Sequence, residues 1–244
     1  MSPDPRVVWR LACLDPMQRR FAEDTAAWLS SSECNTLATL GDAGRRRSWI
    51  EARILAKQLI LECESIASSD DPRAIEVVSR DSEGRGRRPR VAIAGHLMPW
   101  CLSISHTDEA VAVVLCTSPN LSVGVDLVKR ESLGPGFLRT WFDRSEQQWV
   151  IDEKVEVCRL WAVKEAVYKA MGLDDSFAPR RILIREVPGG GYTGVYRGVD
   201  LVDRCHVDTW PYEDHLVALA TVEHPISHRV PVAPAIIQSS SLRR

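Results

Sequence analysis

The stretch Trp161-Ala-Val-Lys-Glu-Ala-Val-Tyr-Lys169 largely determines how this chain is interpreted. It lies in a segment, 153–171, that contains no proline or glycine, and Gly172 follows directly. Such a segment followed by glycine predicts a helix that ends at the glycine.

The helical spacing places the charged residues of this stretch at distinct positions. At about 100° per residue, Lys164 falls within the apolar stripe, whereas Trp161, Glu165 and Lys169 follow one flank at intervals of four. Taken alone, Glu165 and Lys169 would be an ordinary surface pair. Lys164 would then extend outward from the apolar stripe to solvent.

Two further polar groups lie upstream, each at the end of an apolar run. Asp126 closes Val123-Gly-Val-Asp126, and Ser105-His106 closes a predicted strand over 101–105. Taken alone, an aspartate or a Ser-His pair at a strand end is ordinary turn material. In this order along the chain, however, the groups suit phosphoryl transfer, which needs carboxylates for a divalent metal and cations for phosphate charge.

With these residues the sequence resembles the Sfp-type 4'-phosphopantetheinyl transferases of the holo-[acyl-carrier-protein] synthase superfamily. That family carries an apolar-Gly-apolar-Asp stretch and, 35 to 45 residues later, a W-x-x-K-E-[AS]-x-x-K helix. Here Asp126 and Glu165 are 39 residues apart (165 − 126), and the helix motif matches fully. Ser105-His106 matches the family's S-H pair. Residues 139–146 resemble its R-x-F-F-x-x-x-E stretch.

The resemblance implies an α+β fold made of a pseudo-twofold pair of similar halves, each with a small antiparallel sheet and a long helix. Coenzyme A would lie in the cleft between the halves. The implied organisation is an N-terminal half over 1–120, on the coenzyme A 3'-phosphate side, and a C-terminal half over 121–225 with the metal and catalytic motifs. Residues 226–244, rich in serine and proline, are expected to form a disordered tail.

The resemblance also implies a reaction. The 4'-phosphopantetheine arm of coenzyme A would pass to a serine of an acyl or peptidyl carrier protein, and 3',5'-ADP would leave. Asp126 and Glu165 would bind Mg²⁺, with Mn²⁺ as a possible substitute, and Lys164 would stabilise charge near the reacting phosphate. Glu165 or a metal-bound water would take the proton of the carrier serine. Asp126, Lys164 and Glu165 are therefore the predicted catalytic residues.

Coenzyme A itself would be held by basic and polar side chains. The long predicted helix over 45–66 would supply arginines for the 3'-phosphate. Arg47 and Arg53 are the favoured positions, and Arg46 is a near rival. Arg88 stands where the family's G-K-P loop has lysine, and its guanidinium keeps a phosphate-compatible charge. The predicted coenzyme A contacts are Arg47, Arg53, Arg88, Ser105, His106 and Lys169.

One position departs from the family pattern. Many members have a second acid two residues after the aspartate, and here that residue is Val128. Two protein carboxylates are then expected at the metal, with water or another group, such as Glu131, completing the coordination. The departure also motivates an alternative: a coenzyme A-binding or scaffold protein with impaired catalysis.

Composition narrows the remaining function classes. The chain has 244 residues, a formal net charge of −2 and seven cysteines without a CxxC pair. A disulfide framework or structural zinc site is disfavoured, and a reduced cytoplasmic protein is expected. Arginine clusters at 45–47 and 85–90 have only Trp49 beside them, which favours phosphate contacts or solvated surface over nucleic-acid binding. Without an apolar run of membrane-spanning length, no membrane association is expected. The family resemblance, with this chain length and two-half layout, implies a monomer.

Several local elements are predicted from periodicity and turn residues. A serine-rich turn is expected at 30–32 and a Gly/Arg/Pro loop at 83–90. The strands over 110–116 and 121–128 are expected to pair as a hairpin across the turn at 118–120. The remaining predictions are a strand at 7–14, a helix at 17–29, strands at 74–80 and 101–105, a helix at 140–151, and strands at 182–187, 192–196, 205–210 and 216–222.

Overall fold

A computed structural model of the chain shows a mixed α+β protein. The structure describes residues 7–14, 25–63, 71–81, 83–131, 133–152, 155–172, 176–188 and 190–224. The predicted tail over 226–244 and the start of the predicted helix over 17–29 lie outside these ranges.

The first part of the chain contains one long helix and two three-stranded antiparallel sheets, ordered β1-β6-β5 and β2-β3-β4. Its elements are β1 (Val7–Cys13), α1 (Thr25–Trp28), α2 (Ser31–Ala38), α3 (Ala43–Glu62), β2 (Ile75–Arg80), β3 (Gly86–Ile93), β4 (His96–Leu97), β5 (Cys101–His106) and β6 (Ala110–Cys116).

The second part contains one sheet in the order β10-β9-β11-β12-β7, with β8 paired to β9. Its elements are β7 (Leu121–Lys129), α4 (Pro135–Trp141), α5 (Arg144–Ile151), α6 (Val157–Met171), β8 (Ile182–Glu186), β9 (Tyr192–Tyr196), β10 (Val199–Asp200), β11 (Cys205–Tyr212) and β12 (His215–Glu223).

The order of elements in the first part repeats in the second. A leading strand pairs antiparallel with the last strand of its own half, β1 with β6 and β7 with β12. A pair of short helices and a long helix follow, and then three strands that pair in chain order. The prediction of two similar α+β halves, each with a long helix and antiparallel strands, is confirmed. The division at residue 120 stays a prediction, which this order supports.

The three largest apolar clusters of the described residues lie against the sheets. In the first half α3 packs on β2, β3, β5 and β6, and in the second half α6 packs on β8, β11 and β12. A third cluster lies where the halves meet and includes alternate residues of β7, namely Val123, Val125 and Leu127. Because side chains alternate along a strand, Gly124 and Asp126 face α6 instead.

Gly124 sets the distance between β7 and α6. A Cβ atom at this position would lie 2.1 Å from the carbonyl oxygen of Ala166 and 2.4 Å from the nitrogen of Ala170. Both atoms belong to the backbone of α6 and cannot rotate away. The strand and the helix therefore approach closely only because residue 124 has no side chain.

Several local predictions were wrong. β6 does not pair with β7 as a hairpin, since β6 lies between β1 and β5 while β7 pairs with β12. The predicted loop over 83–90 is a strand from Gly86 onward. Ser30 is not part of a serine-rich turn but the N-cap of α2, and the predicted helix over 140–151 is two helices separated at Phe142–Asp143.

None of the helices within the described ranges combines the length and the apolar character that crossing a membrane requires.

Candidate active site

Asp126 is the centre of a compact polar cluster between β7 and α6. Its side chain is buried, and Oδ1 accepts hydrogen bonds from Ser105 Oγ at 2.8 Å and Lys169 Nζ at 2.7 Å. Lys169 Nζ also lies 3.5 Å from Glu165 Oε2 and donates to the carbonyl of Val125 at 3.1 Å. Four of the residues predicted from sequence, Asp126, Glu165, Lys169 and Ser105, are therefore brought together.

The two acids and the lysine of this cluster shift one another's protonation. Burial and the negative charge of Asp126 raise the pKa of Glu165 to about 7, against the opposing effect of Lys169. Burial lowers the pKa of Lys169, but the charges of Asp126 and Glu165 outweigh it and leave that pKa above its ordinary value. The cluster thus attracts cations, and one of its carboxyl groups can exchange a proton near neutral pH.

Side chains of β5 hold the outer edge of β7. Cys101, Ser103 and Ser105 are spaced by two and accept from the backbone N–H groups of residues 123, 125 and 127, at 3.1, 3.0 and 3.2 Å respectively. We call this set the edge ladder. It replaces a neighbouring strand at the edge of the sheet and docks the first half onto the second.

Arg88 continues the contact between the halves. Its guanidinium donates to the Val123 carbonyl at 3.1 Å and also contacts Cys101 Sγ. At the end of α6, Gly172 has φ of 62°, and a Cβ atom there would lie 2.3 Å from Arg88 Nη1. Gly172 therefore ends the helix, as predicted, and also leaves space for the arginine.

A cleft of about 750 Å³ opens beside these residues. One wall comes from the β2–β3 region and β5 of the first half, and the other from the end of α6 in the second. Predicted residues Arg88 and Lys169 line it. The other lining residues are Asp81, Arg85, Gly86, Arg87, Pro89, Ser103, Ile104, Tyr168, Gly172 and Ser176.

His106 lies exposed at the end of β5, next to Ser105. Partial desolvation lowers the pKa of its imidazole, and the positive charges of Lys169, Arg45 and Arg53 lower it further. The structure therefore places His106 within the positive field that surrounds the cluster.

The two arginines predicted to hold the 3'-phosphate, Arg53 and Arg47, lie on α3 of the first half and not in the Asp126 cluster. Arg53 is buried, stacks on the Trp49 ring at 3.3 Å and donates to Ser79 Oγ at 2.7 Å. Burial lowers the pKa of Arg53 to about 9, although the charge of Glu33 opposes this. Arg47 is half-buried on the first turns of α3. Burial raises the pKa of the nearby Glu51, and the positive charge of Arg47 opposes that rise.

Arg46, the rival to these two arginines, is also engaged in the protein. Its guanidinium donates to the carbonyls of Leu37 and Leu40 at 3.1 and 3.2 Å, at the end of α2. Arg46 therefore stabilises a helix terminus.

Lys164 is not part of the Asp126 cluster. Its ammonium is fully buried, pairs with Glu146 at 2.8 Å and donates to the carbonyls of Pro179, at 3.0 Å, and Ile182. Burial lowers the pKa of Lys164, and Glu146 opposes the shift. The expectation that this side chain extends to solvent was wrong, and its position does not suit contact with a reacting phosphate. The inward direction satisfies the buried Glu146.

The first half contains the same arrangement. Glu33 is buried, caps its own helix through the N–H of Ser30, accepts from Lys57 Nζ at 2.5 Å and accepts from the backbone of Val77 at 3.0 Å. Glu146 likewise caps α5 and accepts from the backbone of Ile184 at 2.9 Å. Val77 and Ile184 each lie in the first strand after the long helix, so Lys57 and Lys164 occupy equivalent positions.

The first half also has a counterpart of the Asp126 cluster, in which the charges of the paired strand and helix residues are reversed. Asp126 lies opposite the fourth residue of β12, and Arg10 lies opposite the fourth residue of β6. Arg10 pairs with Glu62 of α3 at 2.5 Å, as Asp126 pairs with Lys169 of α6. Gln58 follows Lys57 where Glu165 follows Lys164, so the first-half counterpart has one carboxylate instead of two.

The donor set of the Asp126 cluster fits a hard divalent ion. Carboxylate oxygens are the ligands Mg²⁺ prefers, and Asp126 and Glu165 bring two carboxyl groups within hydrogen-bonding distance of each other. Val128, on the same face of β7 as Asp126, packs on the apolar core and adds no oxygen. Glu131 lines a separate cleft with Arg130 and Glu156, outside the cleft that Lys169 lines.

Sequence reasoning missed several residues of the site. Arg85 and Arg87 line the cleft and are held by Asp81 at 2.9 and 3.2 Å, and the pKa of Asp81 is lowered to about 2 by these hydrogen bonds, mainly that from Arg85. The basic loop was a visible signal for these arginines. The buried Glu146 was signalled by the capping pattern Asp-x-x-Glu, which places Glu at the third helical position.

Two comparisons with known proteins give matches to this chain. Residues 122–220 match the family model described as the 4'-phosphopantetheinyl transferase superfamily. The chain is also similar to an L-aminoadipate-semialdehyde dehydrogenase-phosphopantetheinyl transferase of Xenopus laevis, with 24% identity over 57% of this chain and 53% of that relative. The aligned region thus spans about half the length of the curated relative. Both matches are to phosphopantetheinyl transferases, and over residues 122–220 the chain is similar to the 4'-phosphopantetheinyl transferase superfamily.

Proposed function

We propose that the chain transfers the 4'-phosphopantetheine arm of coenzyme A to a serine of an acyl or peptidyl carrier protein. The observation that carries the proposal is the contact of Asp126, Glu165 and Lys169 beside a cleft whose opposite wall holds arginines. Phosphoryl transfer needs this combination of carboxylates for a metal and cations for phosphate oxygens.

In the proposed reaction, the carrier serine oxygen forms a bond to the β-phosphorus of coenzyme A, and the bond from that phosphorus to the bridging oxygen breaks. The electron pair leaves with 3',5'-ADP, and the serine proton passes to the Glu165 carboxylate. A pKa near neutrality suits Glu165 to this role. Mg²⁺, or Mn²⁺, would be held by Asp126 and Glu165 and would supply charge neutralisation at the pyrophosphate.

Lys169 would contact the phosphates of coenzyme A, together with His106 and Arg88. Arg85 and Arg87, both exposed at the cleft, are additional candidates. Arg53 would act by holding Trp49 and Ser79 in place, through its stacking on the ring and its hydrogen bond to the hydroxyl. Arg47 stays a candidate for the 3'-phosphate. For Lys164 we propose a positioning role, because its buried ion pair with Glu146 anchors the helix that carries Glu165.

The partner would be an acidic carrier protein, and the chain would act as a cytoplasmic monomer. Exposed Trp141, with Arg139 and Arg144 on either side in sequence, offers apolar and basic contacts of the kind such a partner would need. Neither nucleic acid nor a membrane is required by the proposal.

Intact-mass measurement after incubation with apo carrier proteins, Mg²⁺ and coenzyme A tests the function. We expect the carrier to gain one phosphopantetheine group, and Asp126→Ala and Glu165→Ala each to abolish the gain. Glu62→Gln, which alters the equivalent of Lys169 in the first half, serves as a matched control and should leave the gain intact. No gain on several unrelated carriers, with coenzyme A still bound, would favour the alternative of an impaired scaffold protein.

A further inference from the structure

Ser105 holds a special place in the edge ladder. All three ladder side chains accept a backbone N–H of β7, but in the described part of the chain Ser105 is the member that also bonds to Asp126, at 2.8 Å. We propose that Ser105 is a positioning residue that fixes the Asp126 carboxylate for metal binding and is not itself a contact to coenzyme A. This inference rests on the proposed function.

The hydrogen-bonding capacity of Ser105 is fully used within the protein. A serine hydroxyl has one proton to donate and two lone pairs to accept with. The proton goes to Asp126 Oδ1, and the oxygen accepts from Leu127 N at 3.2 Å and Lys169 Nζ at 3.3 Å. Since the side chain is also buried, it has neither a spare donor nor an open surface for a phosphate oxygen.

These contacts also fix the direction of the hydroxyl proton. The N–H of Leu127 and the ammonium of Lys169 occupy the acceptor side of the oxygen, so the proton is directed at the carboxylate of Asp126. Leu127 follows Asp126 directly, and the hydroxyl therefore ties the carboxylate to the backbone that carries it. Hydrogen bonds of this kind orient metal-binding carboxylates in proteins.

Ser103 provides the matched control. It belongs to the same strand and the same ladder, and it accepts from Val125 N at 3.0 Å. Ser103→Ala and Ser105→Ala thus each remove one hydroxyl that holds the edge of β7. A purely structural role for Ser105 predicts the same outcome for both variants.

The test measures Mn²⁺ binding by paramagnetic resonance, with and without coenzyme A, in full-length wild type and variants. We expect the dissociation constant for Mn²⁺ to rise about tenfold in Ser105→Ala, to stay within about twofold of wild type in Ser103→Ala, and to return near wild type in Ser105→Thr, which keeps the hydroxyl. Thermal unfolding should be lowered by similar amounts in the two alanine variants.

Ser105→Cys covers the case in which Ser105→Ala does not fold, because Cys101 shows that a sulfur serves in the ladder. A thiol is a weak donor, so Mn²⁺ affinity should again fall about tenfold. Equal Mn²⁺ affinity in the Ser105 and Ser103 variants would overturn the positioning role. A loss of metal-free coenzyme A binding in Ser105→Ala with Mn²⁺ affinity intact would overturn it as well, and either result leaves the proposed transfer standing. Absence of Mn²⁺ binding in wild type would overturn the metal assignment and this inference together.

Discussion

Glu165 illustrates how neighbouring residues give a common side chain an uncommon property. Its carboxyl group shares a partly buried space with Asp126, and Lys169 compensates only part of the combined charge. The same carboxyl on an exposed helix face would ionise well below neutral pH. This position suits Glu165 to the two roles proposed for it, accepting the proton of a hydroxyl and binding a cation.

The raised pKa of Glu165 predicts an unusual dependence of stability on pH. The folded protein binds a proton at Glu165 with a pKa of about 7, whereas the unfolded chain does so near the ordinary glutamate pKa of 4.5. Between these values the folded state holds more protons, so this group makes the metal-free protein more stable as pH falls from about 8 to about 5.

Glu165→Gln should remove that dependence and, at pH 8, raise the free energy of unfolding by up to about 3 kcal/mol. Urea denaturation in chelator-treated buffer at several pH values measures both effects. Glu62→Gln is the control in the other half and should retain the wild-type slope. A variant Glu165→Gln with the wild-type pH profile would contradict the shifted pKa.

The long helices α3 and α6 are anchored by the same device. In each, a buried lysine neutralises a buried glutamate that caps a preceding short helix and accepts from the following strand. One carboxylate thus joins a helix start, a long helix and a strand. Because the carboxylate has no solvent around it, removing the lysine leaves a buried charge without compensation.

Lys164→Met should therefore destabilise the protein by about 3–5 kcal/mol, measured by chemical denaturation. Lys57→Met, the equivalent change in the first half, should have a similar effect. Adding Glu146→Gln to Lys164→Met should recover part of the loss, because the unpaired charge disappears. Wild-type stability with complete loss of transfer in Lys164→Met would instead support a direct role at the phosphate.

The contact between β7 and α6 gives a second prediction at this scale. Gly124→Ala would place a methyl group against the α6 backbone, so the strand and helix must separate. We expect a loss of about 1–3 kcal/mol in stability and a drop in transfer activity, since Asp126 moves relative to Glu165. Gly134→Ala, where a Cβ meets nothing within 4 Å, is the control. A fully active and stable Gly124→Ala would refute the close approach.

At the scale of the whole molecule, two related halves share one site. The first half repeats the architecture, yet Arg10, Gln58 and Glu62 stand where the second half has Asp126, Glu165 and Lys169. At these equivalent positions the first half offers one carboxylate, Glu62, and it is paired with the guanidinium of Arg10, so the two carboxyl groups proposed to bind the ion have no counterpart there. The duplicated fold therefore has unequal chemistry in its two halves.

We accordingly expect one Mn²⁺ per chain in the presence of coenzyme A, determined by equilibrium titration. A stoichiometry of two in wild type would contradict the inequality of the halves.

The double substitution Arg10→Asp with Glu62→Lys should keep the ion pair and cost less stability than either single change. The differences should be about 1 kcal/mol, because the pair is partly exposed.

The resemblance carried by the motif order named Asp126, Glu165 and Lys169 as site residues, and the structure brings these three side chains together, while their roles stay predictions. Sequence alone predicted the elements with clear periodicity. It failed where the deciding contact is distant in the chain. Lys164 turns inward because of Glu146 on another helix, and β7 pairs with β12 some 90 residues later rather than with its neighbour β6. Local patterns do not contain those partners.

The edge ladder also gives the backbone of β7 two distinguishable sets of amide protons. Residues 123, 125 and 127 give theirs to side chains of the other half, while Gly124, Asp126 and Val128 turn theirs toward β12. Hydrogen–deuterium exchange of the odd-numbered amides therefore reports separation of the two halves, and that of the even-numbered amides reports melting of the sheet. One strand thus records, residue by residue, whether the molecule opens at its cleft or unfolds.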